Sequence, residues 1–443
     1  MTDTVCVVGG GAGFAGDRID PALVLARAGV DAVVLECLAE RTLVPGLRAR
    51  RDNPQAGFDP RLRRRLTPLL PLAREMGCRI VSNFGAANPQ AAGEYIARLA
   101  RELGIHGLRV AAVVGDDVMA RQAQVRWVRE PDAPLLGAHA YLGCHPLADA
   151  LAQGADVVVT GRVADSALFS AVARDRLQPG EHALAGAIGV GHLLECGGQL
   201  TGGNYEPIAG LGRPPLTAEQ YAQLGYPLAH IWADGSAEIG VAPGAPGIVD
   251  AMTCTLQLLY EVHDPSHYAT PDLVVDFSGV RFEQLGEQRV RMSGVRSKGP
   301  PPTLKVAGFV DKPGFIMDCE ITLAGAGAHE RGELMARAMR LRLAAWGEED
   351  VSVGLVGVSS VLGAGSQRLQ GARPELPELR VHVSARCADA EAAQAIEDEV
   401  YAMTLSGPAG GSSVRSEKRP RIEILDGYIA PSEVPTHLVW STS

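Results

Sequence analysis

The chain has 443 residues, of which 46% are hydrophobic, 21% are charged and only 5% are aromatic. Its formal net charge of −10 disfavours nucleic acid and anionic membranes as partners, and no apolar run reaches membrane-spanning length. The eight cysteines are scattered without a C-x-x-C pair, which is typical of a reducing compartment. Because residues 1–4 show no signal-peptide features before an apolar strand, we predict a cytoplasmic protein.

Short, β-branched, apolar runs alternate with amphipathic helical patterns in the first half of the chain. This alternation is typical of parallel strands that are covered by helices on both faces. The predicted strands are residues 4–8, 32–35, 79–82, 109–114, 138–142 and 156–160. The predicted helices are residues 21–28, 59–76, 89–103, 147–153 and 165–173. We therefore predict an α/β fold with an N-terminal open parallel-sheet domain over residues 1–250.

From about residue 252 the pattern changes to alternating polar and apolar positions. The alternating runs predict antiparallel strands at residues 271–277, 302–309, 315–323 and 379–385. Two long helical patterns accompany them, at residues 329–346 and 389–405. We predict a smaller α+β domain over residues 251–443. Its Gly/Pro-rich loops, with Lys305 and Gly410, are candidate anion-binding loops.

A glycine-rich loop follows the first predicted strand and contains the pattern G-x-G-x-x-G. Glu36 ends the next strand, near the spacing of a ribose-binding acid in a dinucleotide fold, which would indicate FAD or NAD(P). In that fold, however, the helix begins within the glycine motif, whereas Pro21 starts a fresh helix here. The alternatives are a loop over some other anion and a tight packing turn. The binding candidates in this loop are Gly11, Gly13, Gly16, Asp17 and Arg18.

Polar residues also follow the other predicted strands. Ligands of open parallel sheets bind beyond the carboxyl ends of the strands, so several polar loops on this edge predict a pocket. Arg162 directly follows a buried strand and is well placed to hold a carboxylate or phosphate. Asn88 and Asp165 also fit the N-cap position of helices. The remaining candidates at these strand ends are Asn83, Asp117 and His145.

The segment 191–205 combines a helix end with a run of glycines. Glu195 could act as a general base and Cys196 as a nucleophile if burial shifts their pKa values. For Cys196, however, the pattern favours a small buried apolar residue over a nucleophile. His145 and His192 could exchange protons near neutral pH. The chain shows no metal-ligand spacing, so no metal site is predicted. Further binding candidates in this segment are Gln199 and Asn204.

Seven segments together resemble the acyclic terpene utilisation family (AtuA) over nearly the whole chain. These segments are residues 11–18, 82–89, 154–166, 191–205, 262–272, 302–306 and 407–411. The resemblance implies a role in the breakdown of acyclic terpenes and branched acids through coenzyme A thioesters. It also implies a small, separately encoded α+β partner, because many members carry such a domain or have it as a separate protein.

The combined hypothesis is an enzyme that acts on an acyl-CoA or branched acid by lyase or hydratase chemistry. Glu195 or Asp117 would transfer protons and Arg162 would hold a carboxylate, with His145 and Cys196 as further catalytic candidates. We also expect a homo-oligomer. One alternative is a flavin or nicotinamide oxidoreductase that uses the glycine loop. Another is a non-catalytic acyl-CoA-binding subunit of a carboxylase or hydratase assembly.

Overall fold

The computed structural model describes residues 4–207, 213–344, 350–363 and 376–443. The chain divides into two compact units. The first unit comprises the described residues up to 131, residues 135–309 and residues 424–443, and the second comprises residues 132–134 and the described residues of 310–423. The boundary predicted at residue 250 therefore lies inside the first unit, because strands at residues 281–293 extend the sheet of that unit.

The first unit is built on a ten-stranded mixed sheet. Its centre consists of five parallel strands, in the order β1 (Thr4–Ala12), β2 (Ala32–Leu35), β3 (Arg79–Ser82), β7 (Val157–Thr160) and β4 (Arg109–Val114). Antiparallel strands flank this centre: β8 (Pro227–Trp232), β9 (Ala237–Val241), β13 (Arg289–Ser293) and β12 (Arg281–Gly286) beside β1, and β19 (His437–Thr442) beside β4. Strands β2 and β7 are fully buried, as their continuous apolar sequences predict.

Helices cover both faces of this sheet. Val34 and Val158 face one apolar core, whereas their neighbours Val33 and Val159 face the other, as the period of two along a strand requires. The α/β class predicted from the sequence is therefore confirmed. The helices of the first unit are α1 (Asp20–Arg27), α2 (Glu40–Asp52), α3 (Leu62–Met76), α4 (Pro89–Glu102), α5 (His145–Ala152), α6 (Asp165–Ala173), α7 (Glu181–Leu194), α8 (Ala218–Ala222) and α9 (Ala251–Leu259).

Some strands differ from the sequence-based expectation. Strand β6 (Leu135–Ala140) lies outside the ten-stranded sheet and pairs with β15 (Leu304–Ala324). The strand predicted at residues 138–142 is therefore not part of the parallel sheet. That prediction was wrong, because a short apolar run does not specify its pairing partner. The sequence pattern predicted no strand between residues 202 and 246, but β8 and β9 lie there. The other short strands of this unit are β5 (Arg126–Trp127), β10 (Tyr268–Ala269), β11 (Val274–Asp276) and β14 (Arg296–Ser297).

The second unit is an antiparallel sheet with two long helices. Strand β17 (Glu378–Cys387) pairs with β16 (Val351–Val356) on one side and with residues 315–324 of β15 on the other. The helices α10 (Ala328–Leu343) and α11 (Ala390–Ser406) share an apolar core with this sheet. Residues 412–423 of β18 (Ser412–Ile429) also belong to this unit. Residues 345 and 346, predicted to extend α10, lie outside the described residues. Within the described ranges, no helix combines the length and the apolarity needed to cross a membrane.

Candidate functional site

The first unit contains a cavity of about 790 Å³ that gathers charged and aromatic side chains. Arg162 reaches it from the carboxyl end of β7, and Glu40 reaches it from the start of α2, which follows β2. Glu195 and His192 reach it from the end of α7. The prediction of a pocket beyond the strand ends therefore agrees with the position of this cavity. Its other polar lining residues include Tyr141, Asp165, Glu261, His267, Tyr268 and Lys305.

Arg162 is only 4% exposed, and several polar contacts hold it in place. Its backbone N–H donates to Asp116 Oδ2 at 2.8 Å, and its Nη2 donates to Asp165 Oδ1 at 3.0 Å. Its Nη1 donates to the carbonyl of Leu38, and the guanidinium lies 4.3 Å from the centre of the Tyr141 ring. Its Nε is buried and has no hydrogen-bond partner among the described residues. An unpaired buried donor is costly, so Arg162 retains a hydrogen-bonding group that the described residues do not use.

A second cation, Lys305, also lies near the Tyr141 ring, with its Nζ 5.3 Å from the ring centre. The Lys305 Nζ donates to Glu40 Oε1 at 3.0 Å, and the hydroxyl of Tyr141 donates to the same oxygen. Although burial raises the pKa of Glu40, these two hydrogen bonds lower it overall, so the carboxylate stays ionised. The Tyr141 ring thus lies near two cations. Lys305, which was predicted in an anion-binding loop of the second domain, lines this cavity of the first unit, and its anion-binding role stays a prediction.

His192 and Glu195 form a buried pair, which we call the dyad, near the end of α7. His192 Nε2 lies 3.0 Å from the carbonyl oxygen of Leu258, and His192 Nδ1 lies 3.1 Å from Glu195 Oε1. A carbonyl oxygen only accepts, so Nε2 carries a hydrogen and Nδ1 is the ring atom that exchanges a proton with Glu195. The hydroxyl of Tyr268 lies 3.4 Å from the same Nδ1. The other carboxyl oxygen, Glu195 Oε2, is buried and finds no hydrogen-bond partner in the described part of the chain.

Burial raises the pKa of Glu195 to about 7, against the opposing effect of His192. Burial lowers the pKa of His192, but the hydrogen bond and negative charge of Glu195 raise it overall. The two shifts have different causes: burial raises the pKa of Glu195, whereas the neighbouring Glu195 raises the pKa of His192. A carboxyl group that titrates near neutral pH suits general acid–base catalysis.

Glu36 lies at the end of β2 and is 7% exposed. Its Oε1 accepts from the backbone N–H of Leu38 at 2.8 Å and from Asn83 Nδ2 at 2.9 Å. Burial, with the negative charge of Asp165, raises the pKa of Glu36 to about 8. Asn83 also accepts the backbone N–H of Cys37 at 2.7 Å. Glu36 and Asn83 therefore position the segment that leads to Glu40, and the ligand-binding role predicted for them stays a prediction.

The N-terminal glycine loop packs against the end of α7. Gly11 lies within β1, and the N–H of Gly13 donates to Asp17 Oδ2 at 2.9 Å. Asp17 also accepts the hydroxyl of Tyr226, while Arg18 donates to the carbonyl of Ala222 at 2.8 Å. Helix α1 begins at Asp20, after the loop, as Pro21 predicted. The polar groups of Asp17 and Arg18 thus bind other parts of the same unit. The predicted FAD or NAD(P) binding at Gly11, Gly13 and Gly16 stays a prediction.

Gly13 is a position where the close approach of two segments requires glycine. A Cβ there would lie 2.4 Å from the carbonyl carbon of Cys196. We expect Gly13→Ala to lower the free energy of unfolding by about 1–3 kcal/mol, as overpacking does. Gly286→Ala is the matched control, because no heavy atom of the described residues lies within 4 Å of a Cβ built there. Urea unfolding of both variants tests this, and equal stability of the two would contradict the packing role.

Three predicted catalytic residues lie outside the cavity lining. Asp117 forms an ion pair with Arg50 at 3.1 Å and is 39% exposed. His145, at the start of α5, is exposed and lies 2.7 Å from Arg174 Nη2. Burial, followed by the charge of Glu195, raises the pKa of Cys196 to about 12, which keeps its thiol protonated at neutral pH. Their predicted catalytic roles stay predictions, and none of the three lines the cavity.

The remaining binding candidates have local structural roles. Asn88 accepts from the backbone N–H of Ala91 at 3.3 Å, so its predicted N-cap role is confirmed. Asp165 is not an N-cap, because Ala164 occupies that position and Asp165 pairs with Arg162. Gln199 donates to Gln257 at 3.1 Å, Asn204 is an exposed turn residue, and Gly410 belongs to the second unit.

Sequence reasoning missed Tyr141, Glu261 and Tyr268, which line the cavity. Tyr141 lies far from the other two along the chain, so no spacing rule could have joined all three. By contrast, His192 and Glu195 are three residues apart on a helix, and that spacing places them on one face. Among the described residues, no group of three or more His, Cys, Asp or Glu side chains could hold a metal ion.

Comparison with known proteins gave one match. The model of the family described as "Acyclic terpene utilisation family protein AtuA" matches residues 6–440. No curated protein matched the chain, and no solved structure matched it.

Proposed function

Because the chain belongs to the acyclic terpene utilisation family, we propose that its cavity catalyses the addition or removal of water on a branched acyl thioester. The family is named for acyclic terpene utilisation, which supports a role in that catabolism. The observation that carries the chemical part of the proposal is the buried Glu195–His192 pair on the wall of a cavity that also holds two cations, Arg162 and Lys305.

The acid–base half of the proposal rests on Glu195. Its Oε2 lies on the side of the carboxyl group that His192 leaves unpaired. A carboxyl group with a pKa of about 7 is present in both protonation states near neutral pH, so it can take a proton and return it. His192 would hold the carboxyl group in position and share its proton through Nδ1.

The recognition half rests on the charged and apolar parts of the wall. Arg162 and Lys305 present positive charge to a carboxylate, or to a thioester oxygen that becomes negative in the transition state. Apolar residues suit a branched alkyl chain, and they include Pro271, Val274, Pro301, Pro302 and Leu304. Coenzyme A thioesters are therefore the substrate class that we propose.

In the hydration direction, the oxygen of a water molecule forms a bond to the β-carbon of an enoyl thioester and loses one proton to a base. The electron pair of the carbon–carbon double bond moves to the α-carbon, which takes a proton from the Glu195 carboxyl group. The net change is the addition of one water molecule. Elimination is the reverse, with Glu195 taking the α-proton as a base.

The test combines ligand stabilisation with product analysis. Branched enoyl-CoA thioesters, the free acids, FAD and NAD(P) are added to the protein and its melting temperature is measured. Each stabilising compound is then incubated and analysed by mass spectrometry. We expect a branched acyl thioester to stabilise the protein and to gain or lose the mass of one water. Stabilisation without a mass change would contradict catalysis and favour a binding subunit, and stabilisation only by FAD or NAD(P) would favour an oxidoreductase.

The role of Arg162 has its own expected outcome. Arg162→Gln should weaken binding of the thioester about 10-fold or more, because a charge-assisted contact contributes roughly 1.5–3 kcal/mol. Arg63→Gln is the matched control, because Arg63 is a surface residue paired with Glu102. Calorimetric titration measures both affinities. Equal affinity of the Arg162 variant and the control would remove Arg162 from the binding site.

A further inference from the structure

A strained turn follows helix α9 and carries Glu261 into the cavity. Tyr260 has φ −64° and ψ 125°, Glu261 has φ +61°, and the N–H of Val262 donates to the carbonyl of Leu259 at 3.3 Å. These are the features of a type II turn, in which the third residue has positive φ and is usually glycine. A glutamate there is strained, and strained residues that persist tend to cluster at functional sites.

Two hydrogen bonds to His192 fix the position of this turn. Gln257 Nε2 donates to the carbonyl of His192 at 3.3 Å, and His192 Nε2 donates to the carbonyl of Leu258 at 3.0 Å. These two contacts fasten the end of α9 to the end of α7. Glu261 follows Leu258 by three residues, and it lines the same cavity as Glu195.

The electrostatics of the cavity agree with this placement. After burial and other nearby groups, the negative charge of Glu261 is among the causes that raise the pKa of Glu195 and of Asp165. It is the leading cause that raises the pKa of Tyr260. Glu261 is exposed to solvent, whereas the Glu195 side chain is 11% exposed. Glu261 is thus in contact with water and Glu195 is shielded from it, and different environments of this kind separate an acid from a base.

We propose that Glu261 is a catalytic residue, the base that activates water while Glu195 supplies the proton to the α-carbon. This inference rests on the proposed function. The Glu261 carboxylate takes one proton from water as the water oxygen bonds to the β-carbon. Glu195 gives one proton to the α-carbon, so the substrate gains one water molecule and the two carboxyl groups exchange their protonation states. Glu261 then releases its proton to solvent and Glu195 takes up one proton, which restores the starting state.

Arg162 and the conformation of the turn also support a ligand in this cavity. Arg162 lines the same cavity, is 4% exposed, and leaves Nε without a hydrogen-bond partner within the described ranges. The strain at residue 261 supports the same conclusion. Glycine would adopt this positive φ at a lower free-energy cost. A glutamate there therefore lowers the stability of the protein but places a carboxylate at this point.

The test separates the two carboxyl groups by measuring two reactions. One is hydration of a branched enoyl-CoA, which requires both groups. The other is exchange of the α-hydrogen of the corresponding saturated acyl-CoA in heavy water, which requires Glu195 alone. Glu261→Gln should lower hydration about 10²–10³-fold and leave α-hydrogen exchange within about twofold of wild type.

A stability measurement accompanies these rates. Glu261→Gly should raise the melting temperature by about 1–3 °C while hydration is lost, because glycine relieves the positive φ. Ser413→Gly is the matched control, since Ser413 is exposed, has φ +51° and lies in the second unit. It should leave hydration unchanged.

The outcomes separate this inference from the function on which it rests. If wild type hydrates the thioester and Glu261→Gln does so at the same rate, the role of Glu261 is wrong and the function stands. If Glu261→Gln loses exchange as severely as hydration, the residue acts through the shape of the site and the inference is also wrong. A wild-type protein that neither hydrates nor exchanges overturns both.

Discussion

Glu195→Gln should lower the rate of hydration by about 10²–10⁴-fold, the range that general acid–base groups contribute. Glutamine has the shape of glutamate and can still bond to His192, but it cannot take or give the proton. Because the substitution leaves Arg162 and Lys305 in place, we expect the affinity for the thioester to change by less than about threefold. Steady-state kinetics and calorimetric titration measure these two quantities.

Glu102→Gln is the control for this variant. Glu102 pairs with Arg63 on the surface, outside the cavity lining, and its substitution should leave the rate unchanged. If Glu195→Gln retained the wild-type rate, the dyad would not be the acid–base group. If it lost affinity and rate together, Glu195 would act in binding instead.

Glu36→Gln should stabilise the protein increasingly as the pH rises from about 5 to about 8. Burial raises the pKa of Glu36 to about 8, so the folded protein holds a proton that the unfolded chain releases near its usual pKa. The stability that neutral Glu36 allows is therefore complete below the unfolded pKa and is lost as the pH rises through about 8. Glutamine is neutral throughout, so over this pH interval the variant should gain about 2–4 kcal/mol relative to wild type.

Urea unfolding at both pH values measures this difference directly. The amide oxygen of glutamine can still accept from Leu38 and Asn83, so the hydrogen bonds to Oε1 are retained in the variant. Glu102→Gln serves again as the control, with no expected pH-dependent gain. A stability difference between Glu36→Gln and wild type that stays constant from acid to alkaline pH would show that Glu36 is ionised in the folded protein.

The central parallel strands could be predicted from sequence because each is a short, continuous, buried apolar run. The limits of β2 and β3 agree with the prediction, since flanking polar and glycine residues mark their ends. Strands β8 and β9 were not predicted, because glycine and proline around them obscure the pattern. The partner of β6 was predicted wrongly, because pairing depends on residues far along the chain that periodicity does not report.

The candidate site could be predicted only in part, for a related reason. Arg162 and Glu195 were found because their own local sequence, a strand end and a helix end, places them at a sheet edge. Tyr141 and Tyr268 reach the cavity from segments that carry no such local mark. Asp117 also follows a strand, but the neighbouring Asp116 is the residue that points inward and bonds to Arg162 and His139. Which of two adjacent side chains faces the interior depends on packing.

The most direct test of the acid–base role of the dyad is the pH dependence of α-hydrogen exchange in a branched acyl-CoA. Exchange requires Glu195 as a base, and burial raises the pKa of that carboxyl group to about 7. The rate should therefore rise about tenfold per pH unit below that pKa and level off above it. The same profile for Glu195→Gln should lack the levelling-off near that pKa and stay close to the uncatalysed rate. Exchange at equal rates in wild type and Glu195→Gln would contradict the account.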